Sequence, residues 1–379
     1  AERVLPAEWV TLYRVAYVPV RYSAPRAVCP PGLVPDPLIP FQDPYTGAPV
    51  REPKWNDAKP TGQRFGAQGF DVWQGHHQPI WLDVRVPADA APGAYETILR
   101  VTAANAAAAD IPVRLEVWDF ALPEGPTQES SFGGFSYAAE QHRLKPDSED
   151  WPRIEDRYIA MLAAHRVNPM LPKRLQPQPG PDGAVLFDDA LDRQFSEFVA
   201  RYHVTNFDVP RAPFGDLLGA NRDKALAFYR SWYAYLVRKG WASRAYLYML
   251  DEPNDAEAYE EVRQLGALVH EAAPGLRRLV VEQPYTQDPA WGVLDGAVDI
   301  WCPLFGFIDD ASVARVQAAG NTVWSYTALV QKAPPYHPHY ADVKDDNPPF
   351  WQLDFPYTAY RIAPWLNYRY GITGLLYWS

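Results

Sequence analysis

Cysteine is nearly missing from this sequence: two in 379 residues, Cys29 and Cys302. Their separation argues against a disulfide framework and against a cysteine-based zinc site. Long apolar runs are missing too. No stretch approaches the ~20 residues that a membrane-spanning helix needs, and the opening AERVLP lacks a basic-then-apolar signal pattern. Positive charge is in deficit, with 35 Lys and Arg against 46 Asp and Glu and a formal net charge of −11. A chain of that sign repels nucleic acid and anionic membranes, so a neutral or cationic small partner fits better. No glycine-rich phosphate loop follows an apolar strand, since the glycines near 133 lack the required spacing. The run YHPHY places His337 and His339 two apart with no third ligand nearby, so neither a metal nor an organic cofactor is expected.

Aromatic residues and proline are plentiful: 14 Trp, 23 Tyr and 39 Pro. That composition describes ordered loops and packed rings rather than disorder. The excess of Trp and Tyr also suits stacking against sugar rings, although most such rings belong in cores.

Two regimes follow one another along the chain. Up to about residue 122, short alternating runs are separated by Pro and Gly: 9–20, 79–87, 95–103 and 111–120. In PIWLDVRVP, Ile80, Leu82, Val84 and Val86 share one face, the period of a half-buried strand. The turn ADAAPGA makes 79–103 a hairpin or a pair of adjoining strands, and several such strands predict a β-sandwich. The Pro-rich stretch 23–78 gives no assignable pattern. After a linker at 122–130, apolar runs alternate with helical ones. Strands are expected at 130–137, 167–172, 205–210, 244–253, 277–284, 297–305, 321–329 and 372–379. Helices are expected at 148–165, 189–202, 222–239, 256–272, 310–319 and 356–370. Eight strands with intervening helices predict a (β/α)8 barrel. The expected organisation is therefore multidomain: a sandwich over 1–122, then a catalytic (β/α)8 barrel over 123–379.

Barrel enzymes place their chemistry at the carboxyl ends of the strands. The fourth strand ends in Asp251-Glu252-Pro253. Alternation puts Ala245, Leu247, Met249 and Asp251 on one face, and with the smaller set inward Asp251 enters the pocket floor. Pro253 favours an extended Glu252 at the rim. Adjacent carboxyls repel each other, which favours a proton on one of them, as a general acid requires. The competing duty, capping the following helix, is given to Asp255 and Glu257.

The motif YLYMLDEPND, the runs DIWCPLFGF and VWSYTAL, the ending YRIAPWLNYRYGITGLLYWS and, earlier, QPIWLDVRVPADAAPGAYETILRV resemble glycoside hydrolase family 123, the β-N-acetylgalactosaminidases. The resemblance implies a retaining exo-glycosidase that releases a terminal β-linked N-acetylhexosamine, N-acetylgalactosamine favoured, from an oligosaccharide or glycoconjugate. It implies substrate assistance, with Asp251 orienting the 2-acetamido group and Glu252 as acid and base. A glycan substrate in turn suggests an extracellular or periplasmic setting. The seventh strand, VWSYTAL, has no carboxylate, so covalent double displacement lacks its usual nucleophile; Glu282, ending the fifth, is the remaining candidate. Strand ends and the resemblance together make Trp301, Trp324, Tyr326, Asp354, Trp378 and Arg211 candidate substrate contacts. His165 and Asn168 are expected to be structural. Two rival readings are a glycosidase for sugars without an acetamido group, and a carbohydrate-binding protein without catalysis.

Overall fold

The computed structural model describes residues 3–22, 29–51, 66–327, 351, 353 and 355–378. The chain divides into two compact units, Ala1–Leu122 and Pro123–Ser379.

In the first unit, β1 (Arg3–Val4), β2 (Val10–Val20), β3 (Gly32–Pro40), β4 (Ile80–Val84), β5 (Gly93–Ala103) and β6 (Ala106–Val117) form two three-stranded sheets, ordered β1-β5-β6 and β3-β2-β4. β3 arises inside the stretch that resisted assignment, because GLVPDPLIP carries three prolines; it is an edge strand, where the missing N–H groups are tolerated. The hairpin expected over 79–103 does not form. β4 pairs with β2, whereas β5 pairs with β1 and β6, so the Pro-Gly turn sends the chain from one sheet to the other. A sandwich is not established by this arrangement. Among the described residues few side chains of the unit are buried, chiefly Leu5, Val15, Ala16, Val34, Ala67 and Tyr95. The tip of the β5–β6 hairpin exposes both faces.

The second unit is a parallel sheet of seven strands that curls into a nearly closed barrel. Its strands are β7 (Glu129–Phe132), β8 (Phe207–Val209), β9 (Ala245–Asp251), β10 (Arg277–Val281), β11 (Ile300–Trp301), β12 (Thr322–Tyr326) and β13 (Gly374–Tyr377), in the order β7-β13-β12-β11-β10-β9-β8. The helices are α1 (Ser136–Gln141), α2 (Trp151–Ala164), α3 (Asp189–Arg201), α4 (Arg222–Lys239), α5 (Ala256–Ala272), α6 (Asp310–Ala318) and α7 (Thr358–Tyr370). α2 starts three residues after the expected position 148, with Pro152 in its first turn.

The expected second strand, 167–172, joins the barrel by one bridge, Phe132 to Pro169, and by side chains rather than by a ladder. The Asn206 side chain accepts from Ser130 N at 3.1 Å and donates to Ser130 O at 2.8 Å. Asn168 donates to Asn206 Oδ1 at 2.6 Å, and its own oxygen accepts from Thr205 N at 2.8 Å. Three buried polar residues thus do the work of ladder bonds across the seam between β7 and β8, and Asn168 is structural.

Alternation sorts the strand residues into two cores. Ala245, Leu247, Met249, Val280, Trp301 and Val323 face the helices, and Tyr246, Leu279, Val281, Ile300, Cys302, Trp324, Tyr326 and Leu376 fill the barrel. At the amino-terminal end of the interior, Glu129 accepts two bonds from Arg277 (2.6 and 3.0 Å) and one from the Trp324 indole (3.1 Å). Trp324 is so tightly seated that a Cβ on Gly374 would lie 2.3 Å from its ring, which is why the first interior position of β13 has no side chain.

Candidate active site

β9 decides the geometry. Its pairing with β10 runs Leu279 to Tyr248 and then Val280 to Leu250, leaving Met249 as an extra residue, a β-bulge. Below the bulge, Tyr246 and Tyr248 point into the barrel and Ala245 and Leu247 point out, the reverse of the orientation expected from side-chain size. At the bulge two successive residues, Met249 and Leu250, turn toward the helices. Asp251 consequently returns to the inner side opposite Val281, and Tyr248 Oη donates to Asp251 Oδ1 at 2.8 Å. Asp251 thus faces inward through the opposite parity, and it is exposed at the strand end rather than set in a pocket floor.

Glu252 follows with φ +44°, in the left-handed region, rather than extended as Pro253 led one to expect. Such a conformation costs a non-glycine residue roughly 1–3 kcal/mol and survives where surrounding contacts impose it. Here Glu252 N donates to Val281 O at 3.1 Å, and the Glu252 carboxylate accepts a hydrogen bond from Tyr326 Oη on β12. Both carboxyls are exposed at the carboxyl end of β9. Burial, and then the bonded carboxylates, hold the Tyr248 and Tyr326 phenols well above their ordinary range, so each stays a donor. Cys302, buried on the inner face beside them, is pushed up by burial and by the Asp251 charge, which keeps its thiol protonated.

A third carboxyl closes β10. Glu282 is 7% exposed, and Tyr259 of α5 donates to it at a long 3.4 Å. Burial is the main cause that raises it to about 8, with a further push from the Glu252 charge. Asp208 on β8 was missed by the sequence reading. Phe207 and Val209 face the helices, so Asp208 faces the barrel, where one carboxyl oxygen is buried with no hydrogen-bond partner among the described residues and burial raises its pKa. An acidic residue set between two apolar neighbours on a strand was the available signal.

The remaining candidates are scattered. Trp324 lies in the barrel floor, bonded to Glu129. Trp301 is 3% exposed among the helix-facing residues, because Ile300 and Cys302 occupy the inner face of that strand. Both side chains are buried, Trp301 against the helices and Trp324 inside the barrel. Arg211, following β8, is bonded to Met249 O at 3.2 Å and to Glu261 at 2.5 Å. Trp378 is 45% exposed beyond β13, next to Tyr377, which stacks on Trp351 with centroids 4.9 Å apart. Asp354, His337 and His339 lie outside the described residues. Asp255 caps α5, its side chain accepting from Ala258 N at 2.8 Å. Among the described residues no cluster of three or more His, Cys, Asp or Glu could hold a metal, and no helix is long and apolar enough to cross a membrane.

No protein-family model and no curated protein matches the chain. Solved structures with a similar course include a GH10 endoxylanase retrieved from a sugarcane soil metagenome (8% identity, 68% of this chain and 88% of that one, TM-score 0.36). Others are a GH10 xylanase of Thermobacillus composti (12%, 67% and 84%, 0.32) and a β-1,4-D-mannanase of Cryptopygus antarcticus (12%, 67% and 83%, 0.29). These neighbours are glycoside hydrolases. A likeness of this degree concerns the course of the chain alone.

Proposed function

We propose that the chain is a retaining exo-glycosidase that releases a terminal β-linked N-acetylhexosamine, with N-acetylgalactosamine favoured, by substrate assistance. The observation that carries this reading is the adjacent pair Asp251 and Glu252, each held by the hydroxyl of an inward-facing tyrosine at the carboxyl end of one barrel strand. Asp251 orients the 2-acetamido group, and its charge favours the build-up of positive charge on the amide nitrogen. The acetamido oxygen then bonds to the anomeric carbon as the glycosidic bond breaks, and Glu252 gives its proton to the leaving oxygen. In the second half Glu252 takes a proton from water, whose oxygen bonds to the anomeric carbon as the acetamido oxygen leaves; two inversions give retention. Trp378 and Asp354 are proposed to flank the sugar.

Glu282 supports this choice over double displacement. A buried carboxyl raised to about 8 is largely protonated at neutral pH, and a neutral acid is a poor nucleophile. At the end of β12, where the commonest barrel glycosidases carry a glutamate, this chain has Tyr326. The test is hydrolysis of paired chromogenic β-glycosides, N-acetylgalactosaminide and N-acetylglucosaminide beside their 2-hydroxyl counterparts, with the product anomer read by NMR. Cleavage of an acetamido sugar alone, with retention, and a loss of about 10²–10⁴-fold in Glu252→Gln on poor leaving groups are expected. Cleavage of a 2-hydroxyl sugar alone would refute substrate assistance, and glycan binding without any hydrolysis would point to a binding protein.

A further inference from the structure

A bulge inserts one extra residue into a strand and re-aims the side chains that follow it. Without it, β9 would keep its alternation past Tyr248 and Asp251 would point toward the helices with Leu247 and Met249. On its outer side Met249 is buried in the helix-facing core and Leu250 packs against that core. A cavity of about 280 Å³ is lined by Arg211, Phe214, Leu217, Glu261 and Leu265, among others. A polar bridge adds to the packing of the bulge. Arg211 Nη1 donates to the carbonyl of Met249, the extra residue itself, at 3.2 Å, and Nη2 donates to Glu261 of α5 at 2.5 Å. The guanidinium thus ties the bulge to the helix layer through donors on two nitrogens of a rigid planar fork, a spacing that the single nitrogen of a lysine does not reproduce.

We propose that Arg211 is a positioning residue, which holds the bulge of β9 against α5 and thereby aims Asp251 into the mouth of the barrel. It touches no reacting atom; it acts through Asp251, and the chemical part of this inference rests on the function proposed above.

The test uses the full chain as Arg211→Met, Arg211→Lys, Asp251→Asn and the double variant Arg211→Met/Asp251→Asn. Amide hydrogen exchange at Glu252, whose N–H bonds Val281 O, reads the strand end without reference to activity. It is expected to quicken at least about tenfold in Arg211→Met and less in Arg211→Lys, as the loss of a charge-assisted bond implies. On an N-acetylhexosaminide, Arg211→Met is expected to lower kcat about 10- to 100-fold with KM within about threefold, and Arg211→Lys to recover part of it. In the Asp251→Asn background the same change is expected to cost less than about twofold, since both variants remove one function. Unchanged exchange at Glu252 would overturn the proposal, and so would an equal loss in both backgrounds. If the unaltered protein hydrolyses no acetamido sugar, the proposed function fails, and exchange alone still decides what Arg211 holds. Should Arg211→Met not fold, Arg211→Lys and Arg211→Gln carry the same comparison.

Discussion

Removing a single oxygen atom, by Tyr326→Phe, tests how Glu252 is held. The ring is 5% exposed and packs inside the barrel with Cys302 and Leu304, so phenylalanine refills the space and leaves no cavity. What disappears is the hydroxyl that donates to the Glu252 carboxylate. A hydrogen bond to a charged group contributes about 1.5–3 kcal/mol, which converts to a loss of about 10- to 150-fold if it serves the transition state alone. Under the proposed function the loss belongs in kcat rather than KM, because the bond would then direct proton delivery rather than hold the sugar. It should also depend on the leaving group. A nitrophenolate departs with little help from an acid, whereas a sugar alkoxide needs the proton, so the variant should lose more on a disaccharide than on a nitrophenyl glycoside. Steady-state kinetics on a series of N-acetylhexosaminides with graded leaving groups measures this. A variant that keeps within about twofold of the parent on the poorest leaving group would refute the reasoning, since a bond worth its usual energy would then have no part in the reaction.

Two further outcomes follow from the same strand ends. Glycine adopts the left-handed region freely, so Glu252→Gly should be about 1 kcal/mol more stable than Glu252→Ala, both being inactive; urea titration of the two variants checks this, and equal midpoints would remove strain from the account of Glu252. Glu282 supplies a pH dependence. Its folded value of about 8 lies above its ordinary 4.5, so between those values the folded state holds a proton that the unfolded chain releases. Stability therefore falls as pH rises through that window, by at most about 1.4 kcal/mol per unit, and levels off above about 8. Glu282→Gln cannot ionise and lacks this slope, so its advantage in urea midpoint should grow from pH 5 to pH 8; a gap that stays constant with pH would show that burial does not keep Glu282 neutral.

The rhythm of the second unit was legible because helices and buried strands have different periods, and seven of the eight expected strands hydrogen-bond into one parallel sheet. The eighth, at 167–172, was legible as an apolar run, but nothing in the run reveals that Asn168 and Asn206 hold the seam through side chains. In the first unit the strands could be read and their partners could not, because a Pro-Gly turn has the same composition whether it closes a hairpin or crosses between sheets. The adjacent carboxyls at the end of β9 stood out by residue type. Their supports did not: Tyr248 resembles any aromatic of a core, and Tyr326, expected as a substrate contact, carries no sign in the sequence that its hydroxyl donates to Glu252. Trp301 and Trp324 illustrate the same limit. They sit on neighbouring strands in similar apolar runs, yet one faces the helices and the other the barrel floor.

The extra residue in β9 changes what the strand can tolerate over evolutionary time and in the laboratory. Upstream of Met249 the sequence answers to volume, because those side chains must fill two cores; downstream it answers to the orientation of two carboxyls. One inserted position puts these stretches out of phase, so changes of size in the first need not disturb aim in the second. For anyone grafting such a pair onto another barrel, the portable unit is therefore the stretch from Tyr248 to Glu252 together with the arginine beside it. The acidic dipeptide alone, placed on an unbulged strand, would point its aspartate into the wall.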